Sequence, residues 1–271
     1  MTGFPWYDSP WLATFLAAKA WIGRTHPAKL REFEARLAPL RTDPGFEVKR
    51  IDRVFDDATL RKIRDTIRDL KASQLELHEI RDFGRFIVHD HPYFSELQRT
   101  IVGLVGEAAG EAVETRYNFL SLYTKVGVCG VHLDAPFSKW TLDLCVEQST
   151  DWPIHFSGIV PWPEESRGYE ADWQERIKRD PTLRFTSYSL QPGSALLFSG
   201  SSQWHYRDRL PRAAGRGHFS NLLFFHFIPR GMGELTEPRS WPAQFGLPAL
   251  AEITNRYVDR PRRQGAGRWL P

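Results

Sequence analysis

The spacing of apolar positions changes character near residue 110. Before that point apolar residues recur at helical intervals, with one or two strands between the helices. The predicted helices are Pro10–Ile22, Pro27–Leu37, Asp57–Ala72 and Tyr93–Ala108. In the third helix the apolar stripe consists of Leu60, Ile63, Ile67 and Leu70. The first part of the chain is therefore expected to be mostly helical.

From Val113 onward short apolar runs alternate with turn residues. They predict strands at 115–124, 128–134, 139–147, 153–160, 183–190, 194–199, 203–207 and 218–228. About eight short strands at this spacing are typical of a β-sandwich or barrel rather than a parallel sheet. The fold class that follows is mainly β with helical N-terminal additions.

Neither a repeat nor a linker divides the chain, so one domain is expected over residues 1–271. Residues 1–110 would form a helical support, residues 113–230 the β-rich core and residues 231–271 a C-terminal extension. The charged run Glu164–Arg179 predicts a surface loop that carries one helix, and a last helix is expected near Pro248–Tyr257. The end, Arg260–Pro271, is rich in Arg, Pro and Gly and is expected to be disordered.

Composition excludes several classes of protein. With 41% hydrophobic and 13% aromatic residues the chain can form a packed core. Basic and acidic residues are nearly balanced, and a net charge of +3 is too small to indicate nucleic-acid binding, although it suits a small anionic substrate. The apolar stretch from Trp11 to Ile22 is too short to cross a bilayer, and no secretory leader precedes it. Cys129 and Cys145 are expected to be free thiols. Together with the short apolar stretch and the missing leader, they predict a cytoplasmic protein without a membrane partner.

The most informative motif is His132-Leu133-Asp134. Residues i and i+2 of a strand point the same way, so His132 and Asp134 can bind one ion together. His205, in a second strand-like segment, can supply the third ligand. Two imidazoles and one carboxylate form a facial set typical of non-haem Fe(II), which leaves the opposite side of the metal open.

The segments around these residues extend the motif. Tyr123 to Asp134 resembles the strand, glycine turn, strand and HxD signature of the Fe(II)/2-oxoglutarate-dependent oxygenases. The run from Pro192 to Arg207 is similar to the segment of that superfamily that leads to its distal histidine. The resemblance covers roughly residues 113–230, the size of the double-stranded β-helix (jelly roll, cupin-like) core. It implies that His132, Asp134 and His205 hold Fe(II).

The resemblance also implies a site for the co-substrate 2-oxoglutarate, whose far carboxylate needs a cation. Arg216, eleven residues after His205 (216 − 205), matches the family position, but the usual Arg-x-Ser is here Arg216-Gly217-His218. Arg207 is the rival, ahead of Arg209 and Arg212. Hydrogen bonds to the co-substrate are expected from Tyr123 and Thr141.

The activity implied is hydroxylation of an unactivated C–H bond of a small polar molecule, with dioxygen consumed and succinate and CO2 released. Asp134 argues against the halogenating branch, in which this carboxylate is missing. Desaturation and ring formation use the same ligands and stay open. Substrate identity and oligomeric state are not predicted.

Two other classes compete with this interpretation. One is a cupin-like metalloenzyme that works without 2-oxoglutarate, which would gain support if neither Arg216 nor Arg207 faced the metal cavity. The other is a binding or sensing jelly roll without catalysis. Among the other histidines, His89-Asp90-His91 is interpreted as a loop and helix start before Pro92. Core or pocket positions are both open for His155, His218 and His226.

Overall fold

A computed structural model of the chain describes residues 2–3, 9–164, 167–168, 172–211 and 217–257. The strands in these ranges are β1 (Thr2–Gly3), β2 (Lys49–Ile51), β3 (Arg85–His89), β4 (Val113–Tyr123), β5 (Cys129–His132), β6 (Trp140–Gln148), β7 (Ile154–Ile159), β8 (Arg167–Gly168), β9 (Thr186–Tyr188), β10 (Ala195–Ser199), β11 (Gln203–Arg207) and β12 (Ser220–Pro229). The helices are α1 (Ser9–Thr25), α2 (Pro27–Leu37), α3 (Asp57–Arg68), α4 (Ile80–Phe83), α5 (Pro92–Thr100), α6 (Val102–Ala109), α7 (Trp173–Arg179), α8 (Trp241–Gln244) and α9 (Ala251–Thr254).

Two antiparallel sheets face each other. One has the order β2-β10-β6-β12-β4-β3 and the other the order β5-β11-β7-β9, while β1 pairs with β8. The chain passes repeatedly between the two sheets, with β4, β6, β10 and β12 in the first and β5, β7, β9 and β11 in the second. This is the double-stranded β-helix, or jelly roll. The predicted fold class is confirmed.

Strand β6 shows why the sheets stack this way. Successive side chains of a strand point to opposite faces. One face packs under the helices through Trp140, Leu142, Leu144 and Val146. The other face turns toward the second sheet and carries Thr141, Asp143 and Cys145. Polar side chains of a central strand are therefore directed into the space between the sheets.

Helices cover the outer faces of both sheets. Leu60 of α3, Phe94 of α5 and Val105 of α6 pack on the six-stranded sheet. Trp11 of α1 and Phe33 of α2 belong to a second core on the outer side of the four-stranded sheet. A third core lies between the sheets, beside the cavity described below. The apolar outer face of each sheet is thus buried under helices, and the cavity lies between the two sheets.

Several predicted boundaries change in the structure. The single helix predicted over Tyr93–Ala108 is wrong, because the backbone leaves the helical conformation at Ile101 and divides α5 from α6. Helix α3 ends at Arg68 rather than Ala72 and is capped by Asp56, which accepts a hydrogen bond from the Thr59 amide. The strand expected at 183–190 has three residues. The predicted disordered end lies outside the described residues.

Cys129 and Cys145 are both buried free thiols. Among the described residues, none of the helices has the length and apolar character needed to cross a membrane.

Candidate metal centre and cavity

Strands β5 and β11 bring the two histidines of the motif together. In their antiparallel pairing His132 lies directly opposite His205, and the ring centroids are 4.2 Å apart. Residues opposite one another on such a pair have side chains within contact distance. The strand pairing itself therefore builds the imidazole half of the site.

A β-bulge in β5 directs a further side chain into the same space. His205 pairs with His132 and Arg207 pairs with Cys129, so three steps on β5 (132 − 129) face two on β11 (207 − 205). An extra residue of this kind re-aims the side chains beside it. All four side chains consequently line one cavity.

Asp134 completes the cluster just after β5 ends. Its backbone amide donates to the Gly200 carbonyl at 2.8 Å. Its Oδ1 lies 3.5 Å from His132 Nε2 and 3.9 Å from His205 Nε2. The ligand atoms of the three residues all lie within 4.8 Å of one another. A single divalent ion placed among them would be reached by all three donors.

The backbone orients both imidazoles toward this common point. His132 Nδ1 lies 2.8 Å from the Gly130 carbonyl oxygen, and His205 Nδ1 lies 2.9 Å from the Gln203 carbonyl oxygen. A carbonyl oxygen only accepts, so each Nδ1 carries a proton, and Nε2 is the nitrogen through which each ring would bind a metal. Bonds of this kind fix the tautomer and ring orientation of metal-binding histidines. The donor set fits a metal ion.

Protonation of the cluster follows from its burial and its charges. Burial, reinforced by the positive charge of His132, lowers the pKa of His205 to about 4. Burial opposes the ionised form of Asp134, but the neighbouring histidines outweigh it and hold its pKa well below the usual range. Burial also opposes the charged form of His132, yet Cys129 and Asp134 raise its pKa well above the usual range. Of the two imidazoles, His132 is therefore the one whose protonated form the surroundings favour.

Thr141 and Gly200 support the Asp134 carboxylate. Thr141 Oγ1 donates to Asp134 Oδ2 at 3.3 Å. Gly200 has no side chain where Oδ2 lies, and a Cβ there would overlap this oxygen. The hydroxyl of Thr141, expected to bind the co-substrate, is directed to the proposed metal ligand Asp134 in this structure.

The cavity extends from the metal cluster between the two sheets, with a volume of about 680 Å³ that includes its open mouth. One part of its wall is polar and is called the polar end; it consists of Arg85, Tyr123, Cys129 and Arg207. A second part is aromatic and is called the ring wall; it consists of Tyr117, Phe119, Phe224 and His226.

Arg207 faces the cavity but is held on its other side. Its Nη2 lies 2.6 Å from Asp143 Oδ2, and Nη1 donates to the Trp152 carbonyl. Both side chains of the ion pair are almost fully buried, at 3% and 0% exposure. Burial raises the pKa of Asp143 even though Arg207 opposes this effect. The pair is built into the core of the barrel.

Arg85 is a cavity residue that the sequence did not predict. It opens β3, and its Nη1 donates to the Tyr123 hydroxyl at 2.6 Å. Its Nε and Nη2 both lie 2.5 Å from Glu79 Oε2. In the sequence, a single arginine before the apolar run Phe86–Val88 gives little indication of a cavity residue. Arg85 approaches Tyr123 only because β3 pairs with β4.

The ring wall begins beside the metal cluster. His226 pairs across the sheet with Thr141, whose hydroxyl contacts Asp134. The Tyr117 ring stacks on His226 at 4.1 Å with an interplanar angle of 3°. Phe119 stacks on Phe224 at 4.8 Å and 23°. These rings form a continuous aromatic surface along β4 and β12.

Among the remaining candidates, His89 also lines the cavity. Arg216 and Arg212 lie outside the described residues, and Arg209 is exposed. His89 closes β3 and bonds to Glu76 at 2.9 Å, and α5 begins at Pro92 as predicted. His155 lies outside the cavity wall and stacks on Tyr206. Of the three histidines left open by the sequence, His226 is the one found in the wall.

Comparison by sequence finds no relatives: no protein-family model matches the chain, and no match exists among curated proteins.

Comparison by structure defines the class of fold. HygX from Streptomyces hygroscopicus, crystallised with nickel, 2-oxoglutarate and hygromycin B, aligns with a TM-score of 0.50 at 13% identity over 68% of this chain and 83% of HygX. AviO1 from Streptomyces viridochromogenes Tue57 aligns with a TM-score of 0.50 at 11% identity over 73% and 95% of the two chains. SnoK, a non-haem α-ketoglutarate-dependent carbocyclase of nogalamycin biosynthesis, gives 0.50 at 11% over 73% and 89%. The fold is that of the 2-oxoglutarate-dependent enzymes to which the motif pointed.

Proposed function

We propose that the protein is an Fe(II)- and 2-oxoglutarate-dependent oxygenase that acts on a small molecule. The observation that carries the proposal is the convergence of His132, Asp134 and His205, with ligand atoms within 4.8 Å of one another inside a jelly-roll cavity. Such a facial set leaves the other side of an iron ion open for a co-substrate and dioxygen.

Bound iron and 2-oxoglutarate would supply the oxidation of a C–H bond by dioxygen, with release of succinate and CO2. The chain contributes position and environment. The Gly130 and Gln203 carbonyls fix the imidazoles, and Thr141 fixes the Asp134 carboxylate. Walls on both sides of the cavity limit the access of water to the reacting groups.

Hydroxylation is the outcome we favour. Asp134 supports it over halogenation, because the halogenating branch lacks this carboxylate. SnoK, one of the structures of similar fold, is named as a carbocyclase, and ring formation would use the same ligands. Mass analysis of the product separates the two outcomes, since hydroxylation adds one oxygen and ring formation removes two hydrogens.

The polar end is proposed to receive the co-substrate. Tyr123 and Arg207, both expected from the sequence to bind it, line this part of the cavity. Arg207 lies two residues beyond His205 on β11, about 7 Å along the strand. A five-carbon dicarboxylate chelating the metal through its keto acid end can span such a distance.

The ring wall is proposed to hold the substrate. The ring wall starts near the metal ligands and includes Tyr117 and Phe119, which are half-buried. Aromatic side chains with a few polar groups are the usual lining of small-molecule sites. The hygromycin B bound to HygX supports a small-molecule substrate. We favour a small polar substrate with a ring that packs against the ring wall.

An anaerobic titration tests the proposal. Fe(II) is added first and 2-oxoglutarate second, and the expected result is a metal-to-ligand charge-transfer absorption band. Asp134→Ala should abolish the band, whereas His155→Gln, a histidine outside the cavity wall, should keep it. An intact fold without a band in the unmodified protein would favour the metalloenzyme that works without 2-oxoglutarate, or the binding protein.

A further inference from the structure

The polar end contains two guanidinium groups, and they differ in where their carboxylate partners lie. Arg207 is bound to Asp143 of β6, a central strand, and to the Trp152 carbonyl. Both partners of this ion pair are almost fully buried. Moving Arg207 to a ligand would leave the Asp143 charge buried without compensation, which is strongly unfavourable.

Arg85 is paired with Glu79, and the side chains of this pair are 8% and 7% exposed. Glu79 belongs to the segment just before α4, a helix of four residues, and not to a sheet. It contacts Arg85 through Nε and Nη2, so Nη1 is directed away from it, to the Tyr123 hydroxyl. The guanidinium therefore presents one edge to Glu79 and another toward the cavity.

Aromatic rings keep water away from this cation. The Cζ atom of Arg85 lies 4.6 Å from the centroid of Phe83, 5.2 Å from that of Tyr123 and 5.4 Å from that of Phe119. The residue is 6% exposed. Charged groups interact more strongly in such a desolvated environment than in water. A carboxylate that reached Nη1 would thus be bound tightly.

We propose that Arg85, from a strand outside the eight strands of the jelly roll, is the cation that binds the distal carboxylate of the 2-oxo acid co-substrate. This inference rests on the proposed function. Tyr123 accepts from Arg85 and donates its own proton to the same carboxylate. Burial raises the pKa of this phenol, which keeps the proton available. Glu79 competes with the co-substrate for Arg85 and thereby weakens its binding.

The test compares two ligands that differ only at the distal end. Binding of 2-oxoglutarate and of 2-oxopentanoate, which lacks the distal carboxylate, is measured by anaerobic calorimetry on the Fe(II)-loaded protein. Arg85→Met should weaken 2-oxoglutarate binding by about 100-fold, the loss of a hydrogen-bonded charge pair, and leave 2-oxopentanoate binding within about twofold. Arg53→Met, an exposed arginine, should alter neither.

Glu79→Gln gives a prediction of opposite sign. Freed from its competing carboxylate, Arg85 should bind 2-oxoglutarate several-fold more tightly, with 2-oxopentanoate unchanged. If Arg85→Met proves unstable because Glu79 is left unpaired, Arg85→Met/Glu79→Gln removes that charge and should still lose the discrimination between the two ligands. A purely structural role for Arg85 would weaken both ligands alike.

Several results would overturn the inference. Equal loss of both ligands in Arg85→Met would do so, and so would discrimination that disappears in Arg216→Met or in Arg207→Met/Asp143→Leu while surviving in Arg85→Met. These results would leave the proposed function intact, because the unmodified protein would still bind 2-oxoglutarate. If the unmodified protein bound neither ligand, the proposed function itself would fail together with the inference.

Discussion

Gly200 lies against the Asp134 carboxylate, and the absence of a side chain on it is what makes room for Oδ2. A methyl group at this position would overlap Oδ2, and it would also lie 2.8 Å from the Ser138 carbonyl oxygen and 2.9 Å from Thr141 Oγ1. Since two of these neighbours are backbone or strand-held, the carboxylate is the group that would have to move.

Gly200→Ala should therefore weaken metal binding. Displacing a ligand or the groups that orient it typically lowers metal affinity by about 10- to 100-fold. Calorimetric titration with Ni(II) measures the effect, and circular dichroism checks the fold. Gly158→Ala is the matched control, because a Cβ there meets nothing within 4 Å. Unchanged affinity in Gly200→Ala would show that Asp134 does not bind the metal in this orientation.

The metal cluster could be anticipated from sequence because two of its three ligands lie two residues apart in one strand-like segment. Residues two apart on a strand share a face, so His132 and Asp134 can bind one ion together. His205 lies in a second strand-like segment and can complete the set of three ligands. The structure brings His132, Asp134 and His205 together, as the motif predicted. It could not be anticipated that a β-bulge directs Cys129 into the same cavity, since a bulge depends on the partner strand.

The arginines were harder to predict for a physical reason. Arg85 approaches Tyr123 across 38 positions of sequence, and Arg207 approaches Asp143 across 64. Family spacing alone pointed to Arg216, which lies outside the described residues. Charge pairing depends on which strands neighbour each other, and periodicity carries no information about that. Thr141 was expected near the cavity, but its bond to Asp134 needs the position of the loop after β5.

Thr141→Val should lower metal affinity without affecting the fold. The substitution keeps the shape of the side chain and removes the hydroxyl that donates to Asp134 Oδ2 at 3.3 Å. We expect a loss of about tenfold in Ni(II) affinity by calorimetry, at the lower end for an orienting group. Thr141→Ser retains the hydroxyl and should stay close to the unmodified protein. A loss of 2-oxoglutarate affinity with metal affinity unchanged would instead support the expectation that Thr141 binds the co-substrate.

Arg207→Met should destabilise the fold strongly. It leaves the fully buried Asp143 carboxylate without its cation, which typically costs about 3–5 kcal/mol in the free energy of unfolding. Arg207→Met/Asp143→Leu should recover most of this loss, because both charges are removed together. Arg50→Met breaks an ion pair with Asp52 that is 45% and 76% exposed, and it should cost less than about 1 kcal/mol. Urea denaturation measures all three; a double variant no more stable than Arg207→Met would contradict the electrostatic explanation.

Metal binding should release one proton at neutral pH. In the metal-free cluster His132 is protonated because its pKa is raised, Asp134 is ionised because its pKa is lowered, and His205 is neutral because its pKa is about 4. The metal needs neutral imidazole, so it must displace the proton from His132 alone. Affinity should therefore rise with pH, by about tenfold per pH unit, as long as pH stays below the pKa of His132. Calorimetry with Ni(II) in buffers of different ionisation enthalpy counts the protons. His155→Gln, outside the cavity wall, should leave the count at one, and a count of two would place a proton on His205 as well.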